Sequence, residues 1–294
     1  MSIFNIRALL RNLGAGRVRD WAEKRVNYTK TITVHKSKIR IPQTRGVSCS
    51  YTEPWMLEVL SHLLKNQLGA FVDVGVNLGQ TLIKVKSLEP NREYYGFEPN
   101  PSCVEYSNEL IVQNSFPLCT IIPAGIYTHD KILVLEGYSS DPSDSSASII
   151  PRFRDPKSVQ FRKLVPVYKF DTISENAITE RIGIIKIDVE GAELEVLESM
   201  RARIEKDRPI IVIEILPAYS ADNKPRLDRQ LRIEQLFREI GYRFLRIGKH
   251  SSSNSGKIQL VHLSNLGIYS DLELSDYVVV PEESPIFQNS VQTI

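Results

Sequence analysis

The chain has 294 residues, of which 42% are hydrophobic and 24% charged, a balance typical of a folded globular protein and not of a disordered one. Its 37 basic and 35 acidic residues leave a net charge of +2, which argues against nucleic acid as a partner. No apolar run is long enough for a membrane span, no secretory signal is recognisable and the three cysteines lack metal-binding or redox spacing, so we expect a cytoplasmic protein with reduced thiols.

The first 68 residues predict three elements in front of the main domain. Residues 3–13 form an amphipathic helical pattern that could pack on the domain, on a second copy of the chain or on an anionic surface. Lys30–Pro42 predicts a β-hairpin over the domain edge, and Glu53–Lys65 predicts a helix that leads into the first core strand. We therefore divide the chain into an N-terminal segment, residues 1–68, and a domain, residues 69–294.

From residue 70 onwards, short apolar strands alternate with helical stretches, which predicts a doubly wound α/β sheet with helices on both faces. Helices are expected at 80–88, 102–114, 192–203 and 229–240, and strands at 71–74, 93–97, 119–123, 182–187, 210–215, 243–247 and 277–280.

The interval 127–181 interrupts this alternation because it is too long for a simple crossover. It contains the serine- and aspartate-rich run 139–146 between two extra strand candidates, 133–136 and 164–168. We expect a β-rich insertion with a flexible middle that serves as a lid for the acceptor.

A strand, a glycine turn and a helix follow one another in residues 71–81, FVDVGVNLGQT. Gly75 and Gly79 let the backbone turn sharply and approach a ligand, and the following helix offers free N–H groups at its start. In an α/β sheet such a turn lies at the carboxyl ends of the strands, where ligands bind. Alone, the pattern also fits any tight strand-to-helix turn.

Glu98 ends the next strand, within the string YGFEPNP. A carboxylate there is placed to accept both hydroxyls of an adenosine ribose, as in dinucleotide folds, whereas the alternative is a cap on the following helix. Together with the glycine turn, Glu98 predicts a nucleotide site.

A third segment, IKIDVEGAELE at residues 185–195, ends a central strand in a cluster of charge. Because strand side chains alternate, Lys186, Asp188 and Glu190 would share one face if the strand persisted that far. Three charges at the end of a buried strand are costly without partners or a function, although one of the acids could also cap the next helix. The segment therefore predicts a chemical centre.

The strings DVGVNLGQT, FEPNP and IKIDVEGAELEVL, in this order and spacing, resemble the FkbM-type family of S-adenosylmethionine-dependent O-methyltransferases. The resemblance covers roughly residues 71–219, and IDVEGAE is its most specific part. It implies a Rossmann-like class I methyltransferase sheet of seven strands with the last one antiparallel. Asn77 replaces the middle glycine of the usual class I loop, as is common in the family pattern.

The resemblance also implies the placement of the donor, S-adenosylmethionine. Glu98 would hold the ribose, Ala124 and Gly125 would line the adenine, and Asp188 and Glu190 would lie near the methyl group. The expected cofactor-binding residues are Asp73, Gly75, Asn77, Gly79, Gln80, Glu98, Pro99, Asn100, Ala124 and Gly125.

Methyl transfer to a hydroxyl needs an in-line orientation and a group that accepts the proton. We expect Asp188 or Glu190 to be this base. Glu214, at the end of the next strand, could face Asp188 across the crevice as a third catalytic carboxylate. Two such carboxylates could hold Mg²⁺, which we regard as the weaker alternative to a metal-free base.

The expected acceptor is a hydroxyl of a sugar, polyketide, peptide-linked or other small molecule. One alternative is an NAD-dependent oxidoreductase, because a glycine turn with Glu98 also suits a dinucleotide; the lack of a complete Gly-x-Gly-x-x-Gly motif and the carboxylates after Ile187 argue against it. A second alternative is a non-catalytic adapter that keeps the fold and binds the donor.

Overall fold

The computed structural model describes residues 27–44, 46–249, 258–285 and 291–293. The predicted helix at residues 3–13 lies outside these ranges. The strands are β1 Tyr28–Val34, β2 Ser37–Gln43, β3 Ala70–Val74, β4 Tyr94–Phe97, β5 Cys119–Ile122, β6 Gly125–Ile126, β7 Lys131–Gly137, β8 Phe161–Tyr168, β9 Ile182–Ile187, β10 Ile210–Glu214, β11 Tyr242–Gly248, β12 Gln259–Leu263, β13 Asp276–Pro281 and β14 Val291–Thr293. The helices are α1 Pro54–Asn66, α2 Gln80–Leu88, α3 Pro101–Asn114, α4 Phe170–Ala177, α5 Glu193–Asp207 and α6 Lys224–Glu239.

The large sheet has the strand order β14-β12-β11-β13-β10-β9-β3-β4-β5. The strands from β10 to β5 run parallel to one another, whereas β13 runs antiparallel between β10 and β11. This confirms the predicted seven strands with the last one antiparallel. The sheet is wider than predicted, because β12 and β14 add two antiparallel strands beyond β11.

Buried side chains cover both faces of this sheet. Adjacent residues of one strand, such as Phe71 and Val72 of β3, belong to different hydrophobic clusters, because strand side chains alternate between faces. All five residues of β3 and all six of β9 are buried, as expected for central parallel strands with helices on both sides. The predicted doubly wound architecture is therefore confirmed.

The described part of the N-terminal segment packs on the sheet. Strands β1 and β2 form the predicted hairpin, with Ile32 opposite Ile39. The hairpin and α1 contribute buried residues to the same cluster as Phe71, and the Tyr106 hydroxyl of α3 donates to the Pro42 carbonyl at 2.8 Å. The division at residue 68 stays a prediction, but the segment and the sheet share one core.

The insertion forms a second, three-stranded sheet in which β8 pairs with β6 and β7. The sequence reading missed the short helix α4 that follows β8. The serine- and aspartate-rich run, predicted to be flexible, is held by hydrogen bonds: the Asp144 carboxylate accepts the backbone N–H groups of Tyr138, Ser139 and Ser146. Within the described ranges, no helix combines the length and hydrophobicity that crossing a bilayer requires.

Candidate active site

A cavity of about 360 Å³ lies at the carboxyl ends of the central strands, where the turns after β3, β4, β9 and β10 meet the insertion and the residues before α1. Three of the predicted site residues, Asp73, Gly79 and Ala124, do not line it. The predicted residues that do line it are Gly75, Asn77, Gln80, Glu98, Pro99, Asn100, Gly125, Asp188, Glu190 and Glu214.

The turn after β3 needs its glycines. Gly75 has a φ of +91° and Gly79, the N-cap of α2, has a φ of +84°, both in the left-handed region. A Cβ atom on Gly75 would lie 1.8 Å from the Asp188 carbonyl oxygen. The end of β9 therefore passes directly against the glycine turn, and this contact brings Asp188 to the cavity.

Glu98 is held rigidly at the cavity wall. Its two carboxylate oxygens accept the backbone N–H groups of Asn77 and Asn100, each at 2.8 Å. Burial raises the pKa of Glu98 to about 7, although the two hydrogen bonds act in the opposite direction. Each oxygen keeps a lone pair that can accept a hydroxyl, as the predicted ribose contact requires.

Asn100 connects the cavity wall to the insertion. Its side-chain oxygen caps α3 by accepting the Ser102 N–H, and it also accepts from Lys163 Nζ at 2.8 Å. Its side-chain amide donates to the Pro142 carbonyl at 2.8 Å. The Asn100 side chain is thus engaged within the protein, although the residue lines the cavity.

Asp73 lies beneath the cavity and is fully buried. Its carboxylate accepts a hydrogen bond from the Tyr94 hydroxyl and lies 3.6 Å from Lys186 Nζ. Burial raises its pKa, while Lys186 and Tyr94 act in the opposite direction. In this position Asp73 supports Lys186 and does not reach the cavity.

Lys186 joins the glycine turn to the charged end of β9. Its ammonium donates to the Asp188 carboxylate at 3.1 Å and to the Gly75 carbonyl at 3.2 Å. Burial acts to lower its pKa, but the charges of Asp188 and Asp73 raise it above the usual value. The sequence reading placed Lys186 beside Asp188 but gave it no role; a lysine within an apolar strand was the signal.

Asp188, Glu190 and Glu214 form an acidic cluster, in which one carboxylate oxygen of each lies within 4.8 Å of the other two. Glu214 faces Asp188 across the crevice, as predicted. Glu190 reaches the cluster from a turn and not from the strand. Strand β9 ends at Ile187, and Glu190 has a φ of 51° in the turn that follows. The strand thus ends where the sequence predicted, at Ile187, and the condition under which Glu190 would share a strand face with Lys186 and Asp188 is not met.

The three acids have different partners. Besides the Asp188–Lys186 pair, the Glu190 carboxylate accepts from Arg154 of the insertion at 2.7 Å. Within the described ranges, Glu214 accepts one hydrogen bond, from the Ser275 hydroxyl at 3.1 Å. Burial, with repulsion from Asp188, Asp276 and Glu190, raises the pKa of Glu214 to about 9. Burial and Asp188 also raise the pKa of Glu190. Among the described residues this cluster is the group of side chains able to hold a cation.

Sequence reasoning did not identify several residues that line the cavity. Thr52 and Glu53 come from the segment before α1, and Asp144, Ala147 and Ile149 come from the insertion. The insertion was singled out as a lid without naming its contact residues. Nothing in the sequence near Glu53 indicated that it would approach a turn more than 20 residues later.

The strand order and the place of the cavity are those expected for the class I methyltransferase fold. The model of the methyltransferase FkbM domain family matches residues 73–244, more than half of the chain. The chain belongs to this family. The match confirms the resemblance found in the sequence; the role of each site residue stays a prediction.

Two solved structures are distantly similar to this chain. The FkbM methyltransferase of Methylobacillus flagellatus KT is 14% identical with a TM-score of 0.42, and the match covers 72% of this chain but only 43% of that one, so this chain spans less than half of its length. Aeropyrum pernix fibrillarin with bound S-adenosyl-L-methionine is 10% identical with a TM-score of 0.42, covering 86% and 82% of the two chains. Similarities this distant carry no information on the acceptor. No curated protein matches the chain.

Proposed function

We propose that this chain is an S-adenosylmethionine-dependent O-methyltransferase that acts on a hydroxyl of a sugar, polyketide, peptide-linked or other small acceptor. One observation carries the proposal: the carboxylates of Asp188, Glu190 and Glu214 converge on the cavity that also presents Glu98 and the glycine turn. Methyl transfer to a hydroxyl needs an oriented acceptor and a group that accepts its proton, and these carboxylates offer such a group beside the expected donor site.

We expect the donor to lie with its adenine near Gly125. There Pro99 and Ile126 line the cavity and offer an apolar surface. Glu98 takes the ribose hydroxyls. The acidic cluster at the other side of the Gly75 turn then lies beside the reacting methyl group.

When bound, the donor supplies an electrophilic methyl group; the protein orients the acceptor and takes its proton. The sequence favoured Asp188 or Glu190 as the base, but Lys186 holds Asp188 and Arg154 holds Glu190. We assign proton acceptance to Glu214, which has no cationic partner among the described side chains and whose raised pKa makes it the stronger base once ionised. Asp188 then orients the hydroxyl.

The donor site is tested by titration calorimetry with S-adenosylmethionine and S-adenosylhomocysteine. We expect micromolar binding by the wild type and loss of at least about tenfold in affinity for Glu98→Ala, because both ribose hydroxyls lose a charged acceptor. Glu105→Gln, which alters an exposed carboxylate on α3, is the control and should bind as the wild type does. A folded wild type that binds neither ligand would overturn the proposal.

Metal dependence is tested separately. Lys186 and Arg154 already neutralise two of the three carboxylates, so a divalent cation has little net charge left to balance. We expect methyl transfer to persist in EDTA. Loss of activity that Mg²⁺ restores would instead assign the acidic cluster to a metal. A cytoplasmic setting and the lack of a nucleic-acid partner stay predictions, and pairing with a second copy of the chain stays one of the options named for the N-terminal segment.

A further inference from the structure

The segment before α1 forms one wall of the cavity, although it precedes the residues matched by the family model. Thr52 and Glu53 both line the cavity. Glu53 is the N-cap of α1 and has the left-handed backbone φ 50° and ψ 63°, a conformation that a non-glycine residue rarely adopts. Such local strain is typical of residues that their surroundings hold in place for a function.

Among the described residues, the Glu53 carboxylate lies near cations but accepts no hydrogen bond. Lys84 Nζ of α2 lies 3.8 Å from it, is completely buried and has no hydrogen-bond acceptor among the described residues. The negative charge of Glu53 also acts to raise the pKa of Lys186 and of Lys249. The carboxylates of Glu98, Asp144, Asp188, Glu190 and Glu214, which also line the cavity, each accept at least one hydrogen bond.

Glu53 lies at the polar end of the cavity. Met56, one turn further along α1, accepts the Thr81 hydroxyl at 3.7 Å, so the start of α1 packs against the start of α2. Gln80 and Thr81 line the cavity there, whereas Gly125 follows β5, the edge strand of the parallel set. A donor with its adenine on the apolar side and its ribose on Glu98 directs its amino-acid end toward Glu53.

The amino-acid end of the donor carries an α-ammonium, which is costly to desolvate unless a carboxylate accepts its protons. Asp188 and the Gly75 carbonyl, which lie between the two ends, already accept from Lys186. Glu53 has free acceptor capacity among the described contacts. Lys84 fixes its direction by charge but does not line the cavity.

We propose that Glu53 binds the α-ammonium of the donor's amino-acid end and that Lys84 is its positioning residue. The inference rests on the proposed function and extends the donor site to a residue outside the matched domain. The segment before α1 is then part of the donor site and not only an attachment to its surface.

Titration calorimetry with three adenosyl thioethers distinguishes ammonium binding by Glu53 from a purely structural role of this residue, because the three ligands differ in the charged groups they carry. S-adenosylhomocysteine carries both ammonium and carboxylate, S-adenosyl-3-thiopropylamine carries only the ammonium, and 5′-methylthioadenosine carries neither. For Glu53→Gln we expect both amine-bearing ligands to bind about tenfold or more weakly. 5′-Methylthioadenosine should stay within about twofold of the wild type, which also shows that the cavity is intact.

Glu105→Gln is the matched control, because it also replaces a carboxylate with an amide but on the exposed surface of α3. It should leave the affinities for all three ligands unchanged. Equal losses for the three ligands in Glu53→Gln, or no loss for any, would overturn the role of Glu53 while leaving the donor site in place. A wild type that binds none of the three would overturn the proposed function and this inference with it.

Discussion

Asp188, Glu190 and Glu214 lie together but are compensated unequally. The Lys186 ammonium forms ion pairs with two carboxylates, that of Asp188 at 3.1 Å and that of Asp73 at 3.6 Å. Arg154 forms an ion pair with Glu190. Glu214 is left with the Ser275 hydroxyl and with repulsion from its neighbours. Glu214 is therefore the carboxylate of the cluster that keeps its proton to the highest pH, and it is the residue we assign as the base.

The pKa of Glu214 predicts opposite effects on stability and on activity. The folded protein keeps its proton up to about pH 9, whereas the unfolded chain loses it near 4.5, so the unfolded state is favoured as pH rises between these values. Glu214→Gln cannot ionise. We expect its Tm to exceed that of the wild type by more at pH 8 than at pH 5, as differential scanning calorimetry would measure.

The same residue sets the expected activity profile. Because a base must be ionised, kcat/KM of the wild type should rise from pH 7 toward 9, and Glu214→Gln should lose most of this activity. Glu105→Gln is expected to alter neither Tm nor the profile. A wild-type profile that is flat from pH 6 to 9 would return the assignment to Asp188 or Glu190.

At the scale of elements, the site depends on how closely the turn after β3 approaches the end of β9. The Asp188 N–H donates to the Val74 carbonyl at 3.0 Å, and Lys186 donates to the Gly75 carbonyl. The Glu98 carboxylate joins the same turn to the end of β4. Three neighbouring strand ends are thereby fixed to one another before any ligand binds, which favours a preorganised site.

Two glycine substitutions test whether the site needs the close contact between the turn after β3 and the end of β9. Gly75→Ala places a Cβ 1.8 Å from the Asp188 carbonyl oxygen, while Gly267→Ala meets nothing closer than 3.9 Å, although both residues have a positive φ. We expect Gly267→Ala to lower the free energy of unfolding by about 1–2 kcal/mol, from backbone strain alone. Gly75→Ala should lower it by about 3 kcal/mol or more and abolish donor binding. Equal losses in urea denaturation would show that the close approach is not required.

Across the whole molecule, local patterns predicted the parts of the fold that depend on neighbours in sequence. The apolar runs of β3 and β9 identified central strands, and the turn at Gly75 and the end of β4 at Glu98 identified the cavity wall. Asp188 and Glu214 could be paired because adjacent parallel strands end at the same edge. Their catalytic roles stay predictions.

The missed features depend on contacts that one sequence does not encode locally. Strand β12, with the sequence QLVHL, is short, and α4 spans only eight residues, so neither has a strong periodic signal. Arg154 reaches Glu190 from an insertion, and Glu53 reaches the cavity from a hairpin-linked segment. Each depends on tertiary packing between distant stretches of chain.

Asn100 connects the cavity wall at Glu98 to the insertion. Its backbone N–H holds Glu98, and its side chain holds the Pro142 carbonyl and Lys163 of the insertion. The insertion is thereby fastened to the same residue whose backbone N–H orients Glu98, so the wall that we expect to hold the ribose and the wall that we expect to face the acceptor meet at Asn100.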